Sequence, residues 1–600
     1  MKWIPINIPN QKEIDSLAKK LSVDLLISKI LVQRGINSFN KAKTFFRPKL
    51  EDLYDPFLMK DMDIAVDRIQ NAISKKERIL VYGDYDVDGV TSVALVYSYL
   101  VKSYSNIIKY IPDRYKEGYG ISRKGIDYAK KEKVHLIISL DCGITAIDKI
   151  NYANELEIDF IICDHHIPLE NLPNAIAVLD PKRKDCRYPF KELCGCGIGF
   201  KLIQALAVID NKPFDDFIVY FDFVAIAIAA DIVPIIDENR VLAFYGIEQI
   251  NKNPRAGLRE MINSVKSKIK INDLVFRIAP RINSSGRMDK AMKSVELLIQ
   301  KNVKYINELS KKIEFFNTER RIKQDIMINE AIEEIDNKKD KNLEALSEKI
   351  ELLNTGRRMK QEIIINEALE EIKNQKEIKT FSTTVYKEDW HKGVIGIVAS
   401  KLIEYYYKPT IVLTKSEGLI VGSVRSVKGF DIYSVLKKCK KALIQFGGHK
   451  YAAGVTLYSK KLDEFKKLFE ENVKSSISED QRIKSVYYES EIKFTDITNK
   501  LYRILNQLAP FGPKNSIPLF VTNKCQDTGA SRLVGKDKDH LRIEVIDSHG
   551  GIMSGIAFSK GNYISEIKKK NFFAILYSIH RNEFNGKNNI ELNVKDFRFD

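Results

Sequence analysis

The 600-residue sequence predicts an α/β protein of several domains, and three observations carry that expectation. Between about residues 78 and 236, short β-branched apolar runs end abruptly in an acidic residue, with helix-like stretches between them. From about 300 to 375 the chain is highly charged, helical in period and free of proline. From about 480 onward, short alternating strands are separated by turns. A chain this long exceeds what one hydrophobic core serves, so about three or four domains are expected.

In chain order, RILVYG runs into Asp84, HLIISL into Asp141, DFIIC into Asp164, AIAVL into Asp180 and FVAIAIAA into Asp231. Continuous apolar strands separated by helices describe a parallel sheet covered on both faces. In such sheets the loops at the carboxyl ends of the strands form the ligand crevice, so these acids should converge along one edge. One Asp after a strand is usually a turn or helix-cap residue; five in succession are harder to explain that way. The most apolar stretch, 217–236, contains Asp222 and Asp231, so it reads as a buried strand and not as a membrane span.

The charged stretch contains an internal repeat at an offset of 37, with residues 309–337 and 346–374 identical at 20 of 29 positions. A helix, a turn at DNKKDKN and a second helix are expected there. Residues 376–475 read as a second α/β region with turns at Gly422, Gly429, Gly447 and Gly448, and 480–600 as a small β-barrel. The expected divisions are an N-terminal segment 1–60, a sheet domain 61–300, the connector 301–375 and the two C-terminal domains, 376–475 and 480–600.

An apolar content of 44% with 10% aromatic residues indicates a folded chain. The opening MKWIPINIPN lacks the apolar core of a signal peptide, and the seven cysteines form no CxxC pair. Reduced thiols and a cytoplasmic location follow as expectations. The net charge of +17 fits a polyanionic partner, while a composition rich in Lys, Asn and Ile raises pI by itself.

The segment GDYDVDG places Asp84, Asp86 and Asp88 at alternate positions in a strand-to-helix turn. Hard oxygen ligands this dense suit Mg²⁺ or Mn²⁺. A calcium loop is disfavoured, because its twelfth position is Leu95 and not Glu. Two of only eight histidines, His165 and His166, stand together after Asp164 at another strand end. With Asp141 and Asp231, too many carboxylates converge for one ion, and a two-metal site suits displacement at phosphorus. Phosphate also needs cations and donors. The candidates are Arg114 in DRYKEGYG, Arg281 and Arg287 in PRINSSGR, Ser423 and Arg425 in GSVRS, and His449 in GGHKYAAG. The residues by themselves support a two-metal phosphohydrolase.

These motifs resemble the DHH phosphoesterase superfamily, and more closely its RecJ-like exonucleases. The likeness runs from about Ile79 to Phe558 through eleven elements in order: VYGDYDVDGVTS, RYKEGYGIS, SLDCGITA, ICDHH, LDPKR, AADIVPI, PRINSSGRMDKA, WHKGVIGIVASKL, GSVRSVKGFDI, FGGHKYAAG and LAPFGPKNSIPLF. The resemblance implies a DHH parallel-sheet domain, a charged helical connector, a DHHA1 α/β domain and a C-terminal OB-type β-barrel. It implies metal-dependent 5′→3′ hydrolysis of single-stranded DNA to mononucleotides, in repair and recombination. Asp84, Asp86, Asp88, Asp141, His165 and Asp231 match positions that hold two Mn²⁺ or Mg²⁺ ions, and His166 one that faces the scissile phosphate. Arg114, Arg287 or Arg281, Ser423 and Arg425 match phosphate-clamping positions, and His449 lies in the GGH motif of the DHHA1 domain. A single-strand-binding protein and a helicase are the partners the family implies; the chain itself is expected to be a monomer without membrane attachment. Two alternatives are a DHH phosphodiesterase of short oligoribonucleotides or cyclic dinucleotides, and a non-catalytic DNA-binding scaffold. The first would be shorter, and the second would show eroded ligands. The sequence departs from the pattern at Cys196, at NSSGR and, most of all, in the duplicated connector, whose second copy carries Gly356 where the first has Glu319. One copy is expected to be the normal connector and the other an extra helical hairpin.

Overall fold

A computed structural model describes residues 1–337 and 380–599, apart from 8, 264, 266, 537, 570 and 583–588. The chain forms two compact units. One comprises residues 7–318 with 496–518; the other comprises 1–6, 319–495 and 519–600.

The first unit is organised by a five-stranded parallel sheet. Its spatial order is Ile107–Tyr110, Arg78–Gly83, Val134–Leu140, Asp159–Cys163 and Ala177–Leu179. Successive side chains of a strand point to opposite faces, and both faces here are dry. Ile79, Val81, Ile138 and Ile161 pack with the helices Met62–Ser74, Val87–Leu100 and Gly195–Ile209. Leu80, Tyr82, Ile137 and Phe160 pack with Arg123–Lys131 and Ile147–Glu155 on the other side. This explains why the strands read as unbroken apolar runs. The strand order reverses direction between Arg78–Gly83 and Val134–Leu140, and Asp84 and Asp141 follow these two strands.

Two expectations need correction. The run Phe221–Ala230 is a helix and not a strand, so Asp231 lies at a helix C-terminus. Every residue from Phe221 to Ala229 is buried, and the helix packs against Val87–Leu100, Gly195–Ile209 and Asp237–Lys252. A helix enclosed all round shows no apolar stripe, and its sequence cannot be told from a parallel strand. The segment Ala279–Met288, which contains Arg281 and Arg287, is also helical. Its backbone N–H groups therefore serve the helix and not a phosphate cradle.

The helix Val303–Asn337 holds the whole first copy of the repeat and passes the boundary between the units. The second copy, and with it the expected extra hairpin, lies outside the described residues.

In the second unit a mixed five-stranded sheet runs in the order Gln445–Gly448, Ala452–Leu457, Leu419–Arg425, Thr410–Ser416 and Thr383–Tyr386. Phe465, Phe469 and Val473 of the helix Leu462–Ser476 join the apolar core of this sheet. Farther on, pairing passes from Phe520–Asp527 to Phe573–Asn582, Asn589–Phe599, Ile552–Ala557 and His540–Ile546, and returns to Phe520–Asp527. That cyclic order fits an OB-type domain. Lys2–Pro5 pairs in parallel with Ser485–Tyr488, so the first residues belong to this unit. All seven cysteines are buried free thiols. Among the described residues no helix is long and apolar enough to cross a membrane.

Candidate metal centre

Four separate segments deliver the acidic residues to one edge of the parallel sheet. Asp84 follows the strand Arg78–Gly83 and is fully buried; one carboxylate oxygen accepts the Gly120 N–H at 3.1 Å and the other has no hydrogen-bond partner. Asp86 caps the helix Val87–Leu100 by accepting the Gly89 N–H at 3.0 Å. Gly89 is required there, since a Cβ would stand 2.3 Å from the Asp84 carbonyl oxygen. Asp88 occupies the first turn of that helix. Its carboxylate sits on the N-terminus of Gly195–Ile209, accepting the Gly195 and Cys196 N–H groups at 2.6 and 2.7 Å.

Asp141 follows the central strand with φ of 61°, a left-handed backbone that Asp tolerates better than most residues. His165, after the next strand, brings its Nε2 to 3.1 Å from Asp141, 3.6 Å from Asp231 and 3.8 Å from Asp88. Potential ligand atoms of Asp88, His165 and Asp231 lie within 4.8 Å of one another, as do those of Asp141, His165 and His166. Of the seven expected central residues, Asp88, Asp141, His165, His166 and Asp231 are joined by these distances, and the Asp86 charge acts on Asp84, Asp88 and Asp141.

Asp164 has another role, which the sequence reading passed over. Its Oδ1 accepts the His165 and His166 N–H groups at 2.8 and 3.2 Å and lies 2.7 Å from His166 Nδ1. Its Oδ2 accepts the Ile144 N–H at 2.9 Å. The far side of the His166 ring meets the Tyr119 hydroxyl at 3.2 Å. Asp164 is thus a clamp for the two histidines. The adjacency of Asp and His in sequence was the signal for it; nothing local pointed to Tyr119 or to Gly195.

The electrostatics separate clamp from ligands. Burial, then the Asp86 charge, raises Asp84 well above the usual carboxylate range. Burial and the same neighbour push Asp88 up to about 7. Asp141 is raised by burial and by Asp88, Asp86 and Asp231. Burial also works to raise Asp164, but the hydrogen bond and charge of His166 outweigh it and hold that carboxyl at about 2. For His166, burial is outweighed by Asp164 and the surrounding carboxylates, and the imidazole is pushed up to about 9. Carboxylates that outnumber the cations facing them, with buried oxygens of Asp84 and Asp141 left unpaired, are a donor set that fits divalent cations.

The expected phosphate ligands are divided. The Arg114 guanidinium lies 4.8 Å from the Tyr85 ring centroid, beside the acidic turn. Arg287 accepts a hydrogen bond at its carbonyl from the Tyr115 hydroxyl in the same Gly-rich loop. Arg281 is committed elsewhere: it pairs with Glu314 at 2.6 Å and donates to the Arg277 carbonyl at 2.8 Å. Ser284 and Ser285 spend their hydroxyls on helix carbonyls. Ser423, Arg425 and His449 belong to the other unit. There Arg425 donates to Ser423 Oγ at 3.0 Å, and the His449 N–H donates to the Ala452 carbonyl at 2.7 Å.

Known proteins share both the domain order and the fold. The DHH family N-terminal domain matches residues 78–228, the DHHA1 domain 377–475 and the RecJ OB domain 488–596, in the expected order. The single-stranded-DNA-specific exonuclease RecJ of Bacillus subtilis is 34% identical over 602 residues, covering 99% of this chain and 70% of that protein. Its namesake from Haemophilus influenzae is 28% identical, covering 91% and 92%. Among solved structures, RecJ from Thermus thermophilus in complex with Mn²⁺ superposes with a TM-score of 0.81 at 22% identity, covering 100% of this chain and 79% of that one. An exonuclease RecJ bound to manganese gives 0.56 at 25% identity, over 71% and 96%. With three domain matches in order and a full-length relative above 30% identity, the chain belongs to the RecJ family of the DHH phosphoesterases.

Proposed function

We propose that this chain is a divalent-metal-dependent exonuclease that hydrolyses single-stranded DNA from the 5′ end to mononucleotides, in DNA repair and recombination. The observation that carries the reading is the convergence of Asp88, Asp141 and Asp231 on His165, beside buried oxygens of Asp84 and Asp141 that no donor in the chain satisfies. Asp84, Asp86, Asp88, Asp141, His165 and Asp231 would hold two Mn²⁺ or Mg²⁺ ions. Such ions, when bound, activate water and stabilise the leaving oxygen.

The protein's own groups do the rest. Asp164 and Tyr119 fix the His166 ring from both sides, so its charge stands ready for a phosphate without reorganisation. Arg114, held over Tyr85, offers a second cation in the same unit, with Arg287 beside it. Arg281 is not proposed as a free phosphate ligand, given its pairing with Glu314. For Ser423, Arg425 and His449, phosphate contact is proposed on the family likeness. The same likeness supports the domain limits 61–300, 301–375, 376–475 and 480–600, a cytoplasmic location, and cooperation with a single-strand-binding protein and a helicase.

The test is digestion of end-labelled single- and double-stranded DNA and RNA with Mn²⁺ or Mg²⁺. Mononucleotides released from the 5′ end of single strands are expected. Cleavage that starts at the 3′ end, or that proceeds equally on duplex, overturns the proposal.

A further inference from the structure

Beside the acidic turn lies a cavity of about 390 Å³, a volume within the range of small-ligand sites. Three tyrosines line it: Tyr85, Tyr110 and Tyr128. Tyr110 lies between two rings, stacked on buried Tyr82 at 5.3 Å and packed on Tyr128 at 5.0 Å, so Tyr128 is the outer ring of the stack. Tyr85 is shared with the metal centre, since it stands between Asp84 and Asp86.

The charges in the wall are of two kinds. The acids are spent on the protein's own frame. Glu117 accepts from the Tyr110 hydroxyl, the Asp113 N–H and the Ser122 hydroxyl; Asp113 accepts the Tyr115 and Lys116 N–H groups; Asp289 pairs with Lys293. The cations are not spent. Among the described residues, the side chains of Arg114, Lys116 and Lys290 make no hydrogen bond or ion pair; Arg114 lies over the Tyr85 ring, where its charge also acts on Asp84. Aromatic faces with uncommitted cations recognise a flat π-system that carries negative charge, which is the chemistry of a nucleotide.

We propose that this cavity is a nucleobase subsite. It takes the base of the terminal nucleotide, stacked on Tyr128 at the outer end of the tyrosine stack, while that nucleotide's phosphate meets Arg114. The inference rests on the proposed exonuclease reading and adds to it a contact with the base itself. Because every base has a π-face, the subsite is tolerant of sequence but requires that a base be present.

Two measurements on the full chain test it. First, the protein is titrated calorimetrically, without divalent metal, with deoxyadenosine 5′-monophosphate and with deoxyribose 5-phosphate. The nucleotide is expected to bind at least about fivefold tighter, the lower end of what one stacked base contributes. Tyr128→Ala should erase that preference and Tyr128→Phe should keep it. Equal affinity for the two probes, or a preference that survives Tyr128→Ala, overturns the subsite. Second, hydrolysis is followed on single strands with a normal or an abasic 5′-terminal nucleotide. Loss of the base should raise KM by a similar factor and leave kcat unchanged, and Tyr128→Ala should remove the difference. If no single strand is hydrolysed while the calorimetric preference stands, the activity falls and the subsite remains. Hydrolysis indifferent to the terminal base sinks the subsite and leaves the activity.

Discussion

Asp141 and Asp164 follow neighbouring strands of the same parallel sheet, are equally buried, and are joined by the Asp141 N–H to Cys163 carbonyl bond at 2.9 Å. Their carboxylates are treated in opposite ways. Asp164 has both oxygens occupied by three backbone N–H groups and an imidazole, and its negative charge is stabilised. Asp141 has one oxygen near His165 and one with no partner, among four other carboxylates that oppose its charge. Two strand-end aspartates that look alike in sequence therefore divide into one whose oxygens are fully used by the protein and one with an oxygen left over. An acid at the carboxyl edge of such a sheet is assigned by what already holds its oxygens, not by its position alone.

The largest expected effect breaks this comparison at the incomplete side. Asp141→Ala, or His165→Ala, should abolish metal-dependent cleavage, by about a thousandfold or more, while single-stranded DNA binding measured by anisotropy stays near wild type. A purified Asp141→Ala protein with substantial nuclease activity would end its assignment as a ligand.

The completed side should respond less and differently. Asp164→Asn is expected to lower activity or metal affinity about 10- to 100-fold, as loss of a partner that orients a ligand does. Metal-free melting sharpens the contrast. Asp164→Asn should lower the melting temperature, because it strips His166 of its partner, whereas Asp141→Asn should raise it by relieving repulsion. Shifts of the same sign in both variants would contradict the division drawn here.

Acidity supplies a third probe. Asp88 has its carboxyl raised from 3.8 to about 7 in the metal-free fold. Its contribution to stability is therefore complete below about pH 4 and is lost as pH rises through about 7. Cation binding displaces the proton, so apparent Mn²⁺ affinity should increase about fivefold from pH 6 to pH 7 for the proton released from Asp88. The gain in melting temperature on adding Mn²⁺ should likewise be larger at pH 8 than at pH 5.5. A gain independent of pH would remove Asp88 from the ligand set.

The smallest effect is expected at Tyr119→Phe, which deletes one hydrogen bond to His166 and should reduce kcat only a few-fold. A loss as deep as that of Asp164→Asn would mean that the hydroxyl touches the substrate itself.

The sequence made the acids at four strand ends readable, because a run such as HLIISL has no reason to stop at Asp141 other than the edge of a sheet. Asp231 was found for a partly mistaken reason. The apolar run before it is a helix enclosed by three others, and continuous apolarity carries no period that separates the two cases. Arg281 looked like a phosphate ligand because its partner, Glu314, lies 33 residues away on another helix. The seat of Asp88 was hidden for the same reason: its partners, Gly195 and Cys196, are more than a hundred residues distant. Contacts between remote segments leave no local mark on the chain. The departure at Cys196 proves compatible, since the Asp88 carboxylate is held by a backbone N–H and makes no demand on that side chain.

Gly195 touches two of the candidate ligands at once. Its N–H holds Asp88, and its Cα packs so closely on Asp141 that an added Cβ would come within 2.6 Å of that residue's own Cβ. A residue without a side chain thus acts as a feeler gauge for the centre, setting the gap between carboxylates contributed by a helix and by a strand. Even alanine at 195 would open that gap from both sides, a fault in tolerance that no change at either aspartate would repair.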